Sequence, residues 1–247
     1  MATALVTGTS SGIGLATAVA LARSGHVVAA TMRNLERGGG LRKIAAEEQL
    51  AIDIEALDVD DDNSVHVAFA AVAARHGPID ILVKQCWHPG RRRDRGDADR
   101  VFPRSDGDQL FGVLRCIKEV IPGMRQRRRG TIVNVTSVAG RNATAPLANY
   151  AASKWALEAL SECLAQEMRA FNVRVAIVEP GVIATPIFGM GRPLAPRPFG
   201  RSSRGAWRGR SRPRATASPR AGMERRRCQP ARPMRKPAAG CSARTLP

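Results

Sequence analysis

The chain is poor in aromatic residues and has no long apolar run. Tyr150 is the one tyrosine among 247 residues. No apolar stretch approaches the roughly 18 residues that a membrane span needs. The opening "MATALVTGTSSGIG" lacks a basic region before its apolar stretch and enters a strand pattern at once, so no signal peptide is expected. Cysteine is scarce and unordered. Cys86, Cys116, Cys163, Cys228 and Cys241 make an odd count with no C-x-x-C spacing, which excludes a disulfide framework and a paired-cysteine zinc site. A soluble, reducing, cytoplasmic setting is the expectation.

Acid is missing from one end of the chain. Residues 191–247 hold 16 Lys and Arg against a single acid, Glu224, while residues 1–190 hold 23 basic and 20 acidic residues. The formal charge of +18 is therefore a property of the tail. The tail also has only three residues from Leu, Ile, Val and Phe, against nine prolines and six glycines. So little apolar area cannot offset chain entropy, and disorder is expected over 191–247. An Arg-rich tail can bind phosphate non-specifically. Without aromatic interleaving beyond Phe199 and Trp207, nucleic-acid binding ranks last among the functions considered.

What is present is a regular alternation. Strand patterns over 2–7, 26–33, 52–59, 79–83, 130–137 and 173–181 are separated by helical patterns over 12–25, 34–50, 64–77, 110–127 and 149–171. The fourth helical pattern carries a Pro-Gly interruption. Continuous apolar strands between helices mean a parallel sheet covered on both faces. The expected fold is α/β: a Rossmann-type, doubly wound parallel sheet in a three-layer α/β/α arrangement. One domain is expected over 1–190, with an anomalous loop at 84–109.

Three groups of residues carry chemistry. "TGTSSGIG" (7–14) lies between the first strand and the first helix. Gly8 permits a tight turn, Gly12 a close backbone approach by phosphate, and Gly14 packing of helix on strand. The helix start then offers free amides to a pyrophosphate. "YAASK" sets Tyr150 and Lys154 four residues apart, on one helical face. A phenol near pKa ~10 is a poor acid at neutral pH. A neighbouring ammonium favours phenolate and is expected to lower that value. Ser137 ends the fifth strand, where its hydroxyl can hold and polarise a carbonyl oxygen.

With these motifs the chain resembles the short-chain dehydrogenase/reductase family over about 2–83 and 110–190. The matching pieces are Gly8 to Gly14, Asp58-Val59, Ser137, Tyr150 with Lys154, and Pro180-Gly181 with Thr185. The resemblance implies hydride exchange between an alcohol or carbonyl substrate and a nicotinamide cofactor. Ser137 would orient the substrate oxygen, Tyr150 transfer its proton, and Lys154 bind ribose hydroxyls. Ser10, Ser11 and Ile13 belong to the cofactor loop. Asp58 and Val59 would flank the adenine, and Ile183 and Thr185 the nicotinamide amide. The family is usually homo-oligomeric, and its usual last strand is expected to be missing here. The second strand ends in "AATMRN" without the acid that would hold a ribose 2′-hydroxyl. Arg33 could pair with a 2′-phosphate instead, which favours NADP over NAD.

One stretch departs from the family. Asn-Asn-Ala-Gly should follow the fourth strand, where Lys84-Gln85-Cys86-Trp87 stand, and an Asn should precede "LFG", where Gln109 stands. "KQCWHPG" can be encoded AAA-CAA-TGC-TGG-CAT-CCC-GGN, with codons chosen where the code allows. One base later this reads Asn-Asn-Ala-Gly-Ile-Pro. "GDQ" before Leu110, treated likewise, gives Ala-Thr-Asn. The simplest reading of 84–109 is a pair of compensating frame errors. The tail after about 190 has a similar off-frame composition. Cys86 and His88 are then no metal site, and Arg91 to Arg93 no nucleic-acid patch. A cofactor-binding remnant with little turnover is the alternative to an active enzyme.

Overall fold

Alternate residues of each central strand feed opposite faces of one sheet, and this alternation builds two cores. Leu5, Leu82, Ile132 and Val175 face one cluster, while Ala4, Val6, Val28, Ala30 and Val83 face the other. The structure is a computed structural model that describes residues 1–85, 110–144, 148–183 and 242–245. Its strands are β1 (Thr3–Thr7), β2 (Val27–Met32), β3 (Ile52–Ala56), β4 (Ile79–Lys84), β5 (Gly130–Val135), β6 (Val173–Glu179) and β7 (Ser242–Thr245). The helices are α1 (Gly12–Arg23), α2 (Gly39–Glu47), α3 (Asp62–His76), α4 (Gly112–Arg127) and α5 (Ala148–Arg169). Helices α1 and α2 cover one face, and α3, α4 and α5 the other.

The strand order is β3-β2-β1-β4-β5-β6-β7, with the first six parallel. The order reverses between β1 and β4, and the crevice beyond their carboxyl ends is where a doubly wound sheet binds ligands. The Rossmann-type, three-layer expectation is met. The parallel part of the described sheet stops at the sixth strand, as expected. Beyond it β7 pairs antiparallel with β6, in the register Ala176↔Thr245 and Glu179↔Ser242.

That strand corrects the expectation of a wholly disordered tail, because residues 242–245 lie within it. The rest of the tail, residues 191–241, falls outside the described residues, as does 86–109. Two smaller differences have local causes. Strand β3 ends at Ala56, because the Asp58 amide bonds the Ser64 hydroxyl at 2.9 Å and turns the chain into α3. Pro122 sits inside α4 without breaking it. The loop and helix of 34–50 are a short 3-10 turn (Leu35–Gly38) and α2, which meet at a run of three glycines.

Strand β3 is the other outer strand, and it carries charge. Arg75 donates to Glu55 at 3.0 Å, and His76 Nε2 lies 2.6 Å from the Asp53 carboxylate.

Candidate active site

The glycine turn is shaped by what touches it. Gly8 has a φ of +69°, a conformation that side chains disfavour, and any Cβ there would run into the Gln85 carbonyl oxygen. A Cβ on Gly14 would meet the Gly8 carbonyl and lie 2.7 Å from Gln85 Oε1. The Gln85 amide donates to the Thr7 hydroxyl at 3.0 Å. The end of β4 is thus laced against the turn after β1, across the point where the strand order reverses. Thr9 donates both its amide and its hydroxyl to the Thr31 carbonyl, each at 3.1 Å, tying the turn to β2 as well.

Helix α1 starts inside this turn. Ser11 is its N-cap residue but makes no side-chain capping bond, and no acid lies in the first turn. The leading amides are therefore left to an outside acceptor. Ser10, Ser11, Gly12 and Ile13 are all half-buried around them. The cradle leaves no room for side chains at Gly8 and Gly14, and this donor set fits a pyrophosphate. Arg33 stands exposed just beyond β2. Val59 is buried against Gly112, and Asp58 accepts from the Asp60 amide at 3.1 Å.

The second half of the site is built where β5 and β6 end together. The Thr136 amide donates to the Val178 carbonyl at 2.8 Å, and the Val138 amide to the Pro180 carbonyl at 3.1 Å. Ser137 lies between these bonds and caps a short 3-10 turn, with its hydroxyl accepting from the Ala139 amide at 3.2 Å. Pro180 is buried, Gly181 and Ile183 are half-buried beyond β6, and Thr185 lies outside the described residues.

Ser137 also lies near enough to the Tyr150 side chain to favour its phenolate. One helical turn on, the Lys154 ammonium lies 5.7 Å from the centre of the Tyr150 ring. It donates to the Val135 carbonyl at 3.2 Å, and the side chain is buried. Ser137, Tyr150 and Lys154 therefore meet, as the sequence motif implies. The acidity of Tyr150 runs the other way from the expectation. Burial pushes the phenol above its ordinary value, and Ser137 pulls it part of the way back. Lys154 does not reverse this; its ammonium is aimed at a backbone carbonyl.

Sequence reasoning missed the structural part played by Gln85 as a wall of the glycine cradle. It also missed Lys84, which is 1% exposed and in register with Asn134 of β5. An amine at the end of an apolar strand reads as a surface residue until the sheet closes around it. Asn134 in turn donates to the Ser161 hydroxyl at 2.9 Å, joining β5 to α5 inside the core. Gln109, Cys86 and His88 lie outside the described residues. Among the described residues, no cluster of His, Cys, Asp and Glu could hold a metal, and no helix is long and apolar enough to cross a membrane.

The glycine turn and the Ser137, Tyr150 and Lys154 cluster both lie at the carboxyl ends of the parallel strands. The family model for short chain dehydrogenases matches residues 2–193, and the chain belongs to that family. An uncharacterized oxidoreductase, YusZ, from Bacillus subtilis is 37% identical over 75% of this chain and 66% of its own length. Retinol dehydrogenase 8 from Bos taurus is 37% identical over 74% of this chain and 59% of its own length. The chain thus spans less than two thirds of these relatives. A crystal structure of an actinorhodin polyketide ketoreductase with NADPH superposes with a TM-score of 0.71, at 33% identity, covering 75% of this chain and 72% of that one. An alcohol dehydrogenase from Thermococcus sibiricus complexed with 5-hydroxy-NADP gives 0.69 at 28% identity, covering 78% of this chain and 82% of that one.

Proposed function

We propose that this chain interconverts an alcohol and a carbonyl compound, with Tyr150 moving the proton and NADP(H) favoured over NAD(H). The observation that carries the reading is the Lys154 ammonium 5.7 Å from the centre of the Tyr150 ring, with Ser137 placed to favour the phenolate of the same side chain. A bound nicotinamide supplies or accepts the hydride.

The protein's own groups do the rest. In the direction of reduction, the Ser137 hydroxyl holds the carbonyl oxygen and Tyr150 Oη delivers a proton to it as negative charge develops there. The phenol is protonated at neutral pH and so has a proton to give, although burial makes it a weaker acid than a free phenol. Lys154 holds ribose hydroxyls and stabilises the phenolate left behind. Asp58 and Val59 border the adenine, and Pro180, Gly181, Ile183 and Thr185 border the nicotinamide. Arg33, exposed at the end of an acid-free strand, receives a 2′-phosphate. The names of relatives that act on retinol or polyketide carbonyls support this reaction type.

A second reading rests on Lys84 and Gln85. They place a buried amine and a bulky amide where the family has a small Asn-Asn turn, so cofactor binding would outlast efficient turnover. Assays of NADPH oxidation against a panel of aldehydes and ketones separate the two. Measurable turnover that falls about 10²- to 10⁴-fold in Tyr150→Phe supports the enzyme. Cofactor binding with no turnover supports the remnant. The partner is taken to be a small molecule, with no specific nucleic acid and no membrane; a homo-oligomer is the family's usual state.

A further inference from the structure

Strand β6 would be an outer strand of the sheet but for β7. An outer strand presents a row of unpaired amides and carbonyls, which is a template for strand addition. Beside this edge stand three carboxylates on two elements: Glu158 and Glu162 from α5, and Glu179 at the end of β6. Arg141, just after the 3-10 turn that follows β5, pairs with all three at 3.2–3.3 Å. One guanidinium is thus shared among three carboxyl groups, and Glu158 and Glu179 are buried.

Arg244 of β7 supplies a second guanidinium to the same three groups. Its Nη2 donates to Glu158 at 2.9 Å and to Glu162 at 3.2 Å, and its Nε donates to Glu179 at 3.0 Å. The guanidinium offers five donors in a fixed planar fork, whereas an ammonium offers three from a single point. Backbone pairing of Ala176 through Glu179 with Ser242 through Thr245 sets the register that brings Arg244 there.

We propose that the β6 edge and the Glu158, Glu162 and Glu179 carboxylates form a strand-accepting site selective for an extended segment with a central arginine, filled in this chain by its own residues 242–245. Main-chain bonds along β6 give the affinity, and the carboxylates select the side chain, as in strand addition generally. The site adjoins the proposed active site, since Glu179 directly precedes Pro180, but its test needs no turnover.

The experiment follows hydrogen exchange of the full chain. Arg244→Ala should speed exchange of the edge amides in 176–179 by about tenfold or more and leave β1 and β4 unchanged. Arg244→Lys should give an intermediate effect. A synthetic peptide Cys-Ser-Ala-Arg-Thr-Leu-Pro added to the Arg244→Ala chain should restore protection, and the same peptide with alanine for arginine should not. Unchanged exchange in Arg244→Ala, or equal rescue by both peptides, would overturn the proposal. Protection in the unaltered chain that rises with protein concentration would also overturn it, because the strand would then come from a second copy.

Discussion

The Ser137 hydroxyl lies near enough to the Tyr150 phenol to favour its ionised form, against the burial that disfavours it. Because Tyr150 is the only tyrosine, its ionisation can be followed alone by ultraviolet absorbance. The phenol should titrate above its ordinary value of ~10. Ser137→Ala removes the lowering contribution and should move the titration further up. A downward shift in that variant would show that burial is not what holds the proton.

Arg33 tests the cofactor preference. Loss of a charge-assisted bond costs about 1.5–3 kcal/mol, which is about tenfold or more in affinity. Arg33→Ala should weaken NADPH by about that factor and leave NADH unchanged, by calorimetry. Tighter NADH binding to the unaltered chain would end the NADP assignment.

Gly14 tests the cradle. A methyl group there has no room beside the Gly8 carbonyl and Gln85 Oε1. Overpacking of this kind costs about 1–3 kcal/mol. Gly14→Ala should lower the urea midpoint and also weaken cofactor binding, since the turn must shift. A fully stable variant with normal binding would show that the turn is looser than its contacts indicate. Gly25→Ala is a control for space, because nothing lies within 4 Å of a Cβ there, although its φ of +82° adds strain.

Lys84 bears on the altered stretch after β4. A companion protein with 84–109 replaced by the shifted-frame translation should turn over carbonyl substrates faster than the chain as it stands. Equal rates and equal stability would make "KQCWHPG" a genuine variant.

The sheet was legible because its strands are apolar on both sides and its helices are periodic, so each element announces itself locally. Glycines 8, 12 and 14, Ser137, Tyr150 and Lys154 were legible for a similar reason: each motif lies within a few residues of sequence. What the sequence hid depends on distant partners. The direction of the Tyr150 shift depends on how deeply the ring is buried, and the burial of Lys84 on β5 closing beside it. Strand β7 was hidden because Ser-Ala-Arg-Thr has no strand pattern of its own. It is ordered by an edge and three carboxylates elsewhere in the chain.

The two outer strands of the sheet also bear on self-association. At one side β3 presents Asp53 and Glu55, held by Arg75 and His76, and inward charges of this kind discourage a second chain from adding on. At the other side β6 carries Arg174 and Glu179, and its outer edge is capped by only four residues. The sheet is therefore protected unequally. If β7 is displaced, the exposed β6 is where chains would join edge to edge, and colloidal stability would depend on a four-residue strand at the far end of the sequence.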